Sequence, residues 1–100
     1  MIVGVPKEVK VRENRCGLLP SGVKALVGDG HKVFVEKNLG AGIGISDEVY
    51  RQAGAQIETS ANSLWQKSQM IIKVKEPVSS EYELMQEDQI LFPISLFQYL

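Results

Sequence analysis

The sequence predicts an α/β fold with a mostly parallel sheet and helices on both of its faces. Two observations lead there. Short β-branched runs alternate with short helical patterns along the whole chain, which is how parallel strands and crossover helices are ordered. In the strongest run, residues 70–74, Ile71 and Ile72 are adjacent and both apolar, as a strand covered on two faces requires.

The elements follow in order. Residues 2–5 read as a first strand, stopped by Pro6. Residues 20–27 place Val23, Leu26 and Val27 on one helical face; Pro20 suits the first turn, and Gly28 and Gly30 suit the exit. Residues 32–36 form a second strand, with Val33 and Val35 on one side and Phe34 on the other. A glycine-rich stretch, Gly40-Ala41-Gly42-Ile43-Gly44, reads as a flexible strand-to-helix loop. Ser46 is a good N-cap for a short helix through Ala53; Asp47 and Glu48 favour its positive end, and Gly54 suits a left-handed exit. Residues 55–58 form a third strand. Ser60 or Asn62 starts a helical turn carrying Leu64 and Trp65. After the 70–74 strand, Ser79 or Ser80 caps a helix with Glu81, Tyr82, Leu84 and Met85, and residues 89–92 are a last strand ended by Pro93. Trp65 and Tyr82 are both expected in the core.

Composition narrows the function. One hundred residues fit one domain with a modest core. A net charge of −1 and a basic run at residues 7–15 broken by Glu8 and Glu13 argue against nucleic acid and an anionic membrane surface. The apolar runs are far shorter than the roughly 18 residues of a membrane span, and the N-terminus lacks the basic start of a signal peptide. Cys16 is the only cysteine, so no internal disulfide and no zinc spacing is available. The expected compartment is the cytoplasm.

Four features invite chemistry. The glycine stretch has the spacing Gly40, Gly42, Gly44, with Ile45 where the third glycine of a dinucleotide fingerprint belongs, so no cofactor site is assigned to it. Arg15 lies in the segment after the first strand, and Lys75 at the carboxyl end of the 70–74 strand. Ligands of open α/β sheets bind beyond the carboxyl ends of the strands. Two cations arriving there from different strands can converge on a small anion, Arg with a planar fork and Lys with a point charge. Alternation puts Lys73 on the same side as Lys75. Spacing alone also allows Arg15 and Lys75 to be solvated surface residues, and favours that. His31, the only histidine, sits at the opposite end of the sheet and reads as structural; Cys16 reads as a packed, inert thiol.

The same residues carry a resemblance. Val3-Gly4-Val5-Pro6-Lys7-Glu8, Glu13-Asn14-Arg15, Leu19-Pro20-Ser21-Gly22-Val23, Gly30-His31-Lys32-Val33, the stretch at 40–44, Ser46-Asp47-Glu48-Val49-Tyr50, Ala53-Gly54-Ala55 and Lys73-Val74-Lys75-Glu76-Pro77 occur in that order. With them, residues 1–92 resemble the N-terminal part of the alanine dehydrogenase and pyridine nucleotide transhydrogenase family. The alanine dehydrogenase branch is the closer, because the transhydrogenase α subunit tends to have Asn-Ala where Lys75-Glu76 stand.

The resemblance implies an incomplete flavodoxin/Rossmann-like substrate domain. It also implies NAD-dependent conversion of L-alanine to pyruvate and ammonia by the full-length enzyme, with Arg15 and Lys75 holding a small carboxylate such as pyruvate or L-alanine. In the family a Thr-Tyr-Leu-His run follows the last strand, and its histidine is a catalytic acid/base. Here Pro93-Ile94-Ser95-Leu96 stands instead, and leucine transfers no proton. A one-base shift of reading frame turns codons for Thr-Tyr-Leu into Pro-Ile-Ser, although Leu96 does not follow from it. The expectation is therefore residues 1–92 as the N-terminal part of a substrate-binding domain, 93–100 as a divergent apolar tail able to drive homo-oligomerisation, and the NAD-binding domain absent. No cofactor is expected in these 100 residues and no dehydrogenase activity from them alone. A non-catalytic binding or interaction module, or the front end of a transhydrogenase α subunit, are the alternatives.

Overall fold

The computed structural model describes residues 1–9 and 13–94. Five strands, β1 (Ile2–Val5), β2 (Lys32–Glu36), β3 (Gln56–Glu58), β4 (Met70–Lys73) and β5 (Ile90–Pro93), alternate with four helices, α1 (Pro20–Gly28), α2 (Asp47–Gln52), α3 (Ala61–Lys67) and α4 (Ser79–Tyr82). The sheet order is β3-β2-β1-β4-β5, and all four pairings are parallel. β1 is the first strand made and lies in the middle, so the chain winds outward twice, once to each side. The point of reversal falls between β1 and β4, where a crevice opens at the strands' carboxyl ends.

Two apolar layers flank the sheet. On one face Val3, Val5, Val33 and Val35 pack with Val23 of α1 and Tyr50 of α2. On the other, Phe34 and Ile71 pack with Leu64 and Trp65 of α3. Phe34 thus parts from Val33 and Val35, and Ile71 from Ile72, as period-two alternation predicts. α1 and α2 end alike. Gly30 (φ 93°) and Gly54 (φ 110°) take left-handed backbone. The following amides, His31 N and Ala55 N, each donate at 3.0 Å to a carbonyl five residues back, Leu26 O and Tyr50 O. That is the exit that satisfies the last carbonyls of a helix and turns the chain into the next strand.

Several boundaries and environments differ from expectation. The β4 ladder stops at Lys73 and β3 begins at Gln56, because Val74 and Ala55 have no strand partner. β5 runs one residue further, through Pro93, which an edge strand tolerates because the missing N–H can face away from the ladder. Ser60, not Asn62, caps α3, its hydroxyl accepting from Ser63 N at 3.3 Å. Neither Ser79 nor Ser80 caps α4: Val78 holds that position, and Glu81 Oε1 accepts from its amide at 3.1 Å. α4 is a single turn, so Leu84 and Met85 lie past it, and Tyr82 is 60% exposed while Glu81 takes the inward position. The glycine stretch is not an open loop; Ala41–Ile43 is a 3-10 turn. Among the described residues no helix is long and apolar enough to cross a membrane.

Candidate functional site

The segment after β1 and the segment after β4 meet at the crevice. β1 ends at Pro6, which has no N–H for a ladder, and the chain leaves the sheet. Glu8 then turns inward and does by side chain what a strand would have done by backbone. Its carboxylate accepts from Val74 N at 3.1 Å and Lys75 N at 3.2 Å, the first amides past the β4 ladder. It also receives Lys73 Nζ at 3.1 Å, and the same ammonium lies 3.2 Å from Glu81 Oε2 of α4. All three side chains are buried, so Glu8, Lys73 and Glu81 form an internal charge cluster tying β1, β4 and α4 together.

A second contact fixes the other segment. Gly17 lies so close to β4 that a Cβ there would stand 2.6 Å from Ile72 O and 3.1 Å from Lys73 Cα. Only glycine allows that approach. Next to it, Cys16 is buried with its sulfur 3.2 Å from the Tyr50 hydroxyl, and Tyr50 donates to Leu18 O at 2.8 Å. Burial first, and the Cys16 contact second, raise the Tyr50 pKa well above its ordinary value. α2 thus holds residues 16–18 in place and with them the base of Arg15. Cys16 is a packing residue, as its sequence context suggested.

Arg15 and Lys75 do converge. Between them lies the carboxylate of Glu13. Its Oε1 accepts from Arg15 N at 2.9 Å and Arg15 Nε at 3.0 Å; its Oε2 accepts from Arg15 Nη2 at 2.9 Å and is 3.7 Å from Lys75 Nζ. The Glu13 side chain is 6% exposed, while Arg15 and Lys75 are 50% and 37% exposed. The Arg15 hydrogen bond above all, with the Lys75 charge a smaller part, holds Glu13 down to a pKa of about 2, against the desolvation that opposes ionisation. Lys73 does not join them. Although two residues from Lys75, it is buried in the Glu8 and Glu81 cluster, because β4 ends between the two lysines.

Beside Arg15 opens a cleft of about 280 Å³ lined by Cys16, Leu19, Ile43, Val74 and Ile94. Its chemistry is one guanidinium against an apolar wall, which suits a small molecule with an anionic head and a short apolar body. A larger groove lined by Met1, Gln69, Asp88 and Gln89 lies at the opposite, amino end of the strands. His31 is there too, its Nδ1 3.3 Å from the N-terminal ammonium, far from the Arg15 region. The glycine stretch does not fit a dinucleotide: Gly42 packs on Asn14, where a Cβ would lie 3.0 Å from that side chain, so its close approach is to the protein itself. Among the described residues no group of three or more His, Cys, Asp or Glu is arranged to hold a metal ion. Leu96 and the rest of the apolar tail from 95 to 100 lie outside the described residues.

Sequence reasoning singled out Arg15 and Lys75 as candidates and did not single out Glu8, Glu13 or Glu81, which the structure places in contact with the lysines and with Arg15. Glu8 and Glu13 were legible only as interruptions of a basic run. A signal was present, since a glutamate two residues before an arginine in a loop can fold back on it, but nothing in spacing says which cation a glutamate will meet.

Fold and site together define an α/β unit with a cationic crevice at the switch point of a parallel sheet. The chain belongs to the alanine dehydrogenase/PNT N-terminal domain family, whose model matches residues 4–97. It is 53% identical over 92 residues to an alanine dehydrogenase of Methanococcus maripaludis, covering 92% of this chain and 25% of the relative. It is 51% identical over 92 residues to an alanine dehydrogenase of Staphylococcus epidermidis, covering 92% and 24%. Among solved structures, an L-alanine dehydrogenase superposes with a TM-score of 0.90 at 53% identity, covering 93% of this chain and 26% of that one. The transhydrogenase from Sinorhizobium meliloti superposes at 0.87 with 30% identity, covering 94% and 28%. The chain therefore spans about a quarter of the curated relatives it matches.

Proposed function

We propose that this chain is the front part of a substrate-binding domain of an NAD-dependent alanine-dehydrogenase-like enzyme, and that Arg15 and Lys75 hold the carboxylate of pyruvate or L-alanine. The observation that carries this reading is the convergence of both cations on one carboxylate, that of Glu13. Arg15 forks the ligand carboxylate, and Lys75 adds a positive charge beside it. The apolar wall of Leu19, Ile43 and Val74 takes the short carbon body. Glu8 is a positioning residue: by holding the Val74 and Lys75 amides it sets where the Lys75 side chain leaves the sheet.

The reaction itself is assigned to an assembly with the parts that the longer relatives have. NAD would supply hydride acceptance there, and these residues would bind and orient the substrate. Nothing beside Arg15 among the described residues offers an imidazole for proton transfer, so the 100 residues alone are expected to bind without turnover. Lone, buried Cys16 supports a reducing, cytoplasmic setting.

Titration of the 100-residue protein with pyruvate, followed by calorimetry, tests the reading. The expected result is weak saturable binding that Arg15→Ala abolishes, with no NADH formed from L-alanine and NAD. Equal binding by Arg15→Ala, or NADH formation, would overturn it. The transhydrogenase reading rests on the likeness in fold at 30% identity and is weaker than the alanine dehydrogenase one at 53%.

A further inference from the structure

We infer that Glu13 is a resident occupant of the carboxylate seat, and that a small carboxylate binds by displacing the Glu13 carboxylate from Arg15 and Lys75. The inference rests on the reading that these two cations are a ligand seat. The geometry makes Glu13 more than a neighbour. Its carboxylate takes the side edge of the guanidinium, Nε and Nη2, at 3.0 and 2.9 Å, which is the two-point geometry an incoming carboxylate would use. The oxygen that meets Nη2 also lies 3.7 Å from Lys75 Nζ, so both charges bear on one carboxylate. The seat is thus filled from within the chain, by a side chain two residues from the arginine.

Such an occupant has two consequences. It competes at high effective concentration, since the tether between Glu13 and Arg15 is two residues long. It also puts a negative charge between the two cations, so an incoming anion that displaces it finds the Glu13 carboxylate still close by. A dicarboxylate meets an added anion in the displaced Glu13. A glutamate that merely oriented Arg15 for the ligand would act the other way, and its removal would weaken binding.

The experiment compares pyruvate binding by the wild type, Glu13→Gln, Glu13→Ala and Arg15→Ala, with thermal melts to establish folding. Glu13→Gln and Glu13→Ala should bind pyruvate about tenfold more tightly or better, which corresponds to about 1.4 kcal/mol. They should bind malonate with a larger gain than pyruvate. In the wild type, the side-chain carboxyl carbon resonance of Glu13 should move as pyruvate saturates, a readout that needs no variant. If the wild type binds pyruvate, Arg15→Ala does not, and the two Glu13 variants bind equally or less well, the resident-occupant inference is wrong while the seat stands. An unmoved Glu13 resonance at saturation has the same meaning. If none of the proteins binds pyruvate, or Arg15→Ala binds as well as the rest, the seat itself fails and the inference falls with it.

Discussion

Two glutamate–cation knots lie a few residues apart on this chain, and they differ in burial. Lys73 is enclosed by Glu8 and Glu81, with all three side chains 3% exposed or less. Lys75 faces Glu13 and Arg15 at the surface, with both cations more than a third exposed. The first knot also takes up backbone amides of Val74 and Lys75, so every charge in it has structural work. In the second, water reaches both cations, while the Glu13 carboxylate between them is itself buried. Burial, not residue type, separates the lysine that holds the sheet's end together from the one that we propose receives a ligand.

The comparison is broken most forcefully at Lys73. Lys73→Met keeps the apolar stem and removes the ammonium, leaving Glu8 and Glu81 side by side without their shared cation. A loss of about 3–5 kcal/mol in urea unfolding is expected. A loss under 1 kcal/mol would mean that the inner knot is dispensable. Arg15→Ala, measured in the same way, should cost less than Lys73→Met, because Arg15 is itself half exposed, although it leaves the 6% exposed Glu13 carboxylate without its main partner. A larger loss would make Arg15 a structural residue.

A further contrast is a matter of pH. Glu13 is held at about pKa 2, below its ordinary 4.5, so between those values the unfolded chain binds more protons than the folded one. Its contribution is present above pH 4.5 and lost as the pH falls toward 2. Glu36 goes the other way: burial raises its pKa, against the opposing Lys7 amide, which donates to it at 2.9 Å. Above 4.5, up to that raised pKa, the folded chain holds the extra proton, so stability falls as the pH rises. Glu36→Gln should flatten the profile on the neutral side of 4.5, and Glu13→Gln on the acid side. Thermal melts from pH 2 to 8 read both slopes; a neutral-side slope unchanged by Glu36→Gln would remove Glu36 as its source.

Much of this molecule was legible before folding. Period two in residues 32–36 assigned Val33 and Val35 to one face and Phe34 to the other, and the paired Ile71 and Ile72 announced a strand covered twice. Gly30 and Gly54 marked two helix exits because left-handed backbone is cheap only without a Cβ. Tyr82 was misread for the same kind of reason: apolar spacing implies a face only when the helix lasts long enough to have one, and α4 is a single turn. Lys73 and Lys75 looked equivalent because alternation assumes the strand continues, and β4 stops between them.

By itself, then, the sequence determined the alternation of strands and helices, the two-faced sheet and the arrival of Arg15 and Lys75 at its carboxyl ends. These follow from local periodicity and turn chemistry, which act over a few residues. Only the tertiary structure decided which carboxylate meets which cation: Glu8 with Lys73, 65 residues away, and Glu13 with Arg15 and Lys75. Ion pairing depends on distance and burial in the folded chain, and neither is written in the spacing of charges along it.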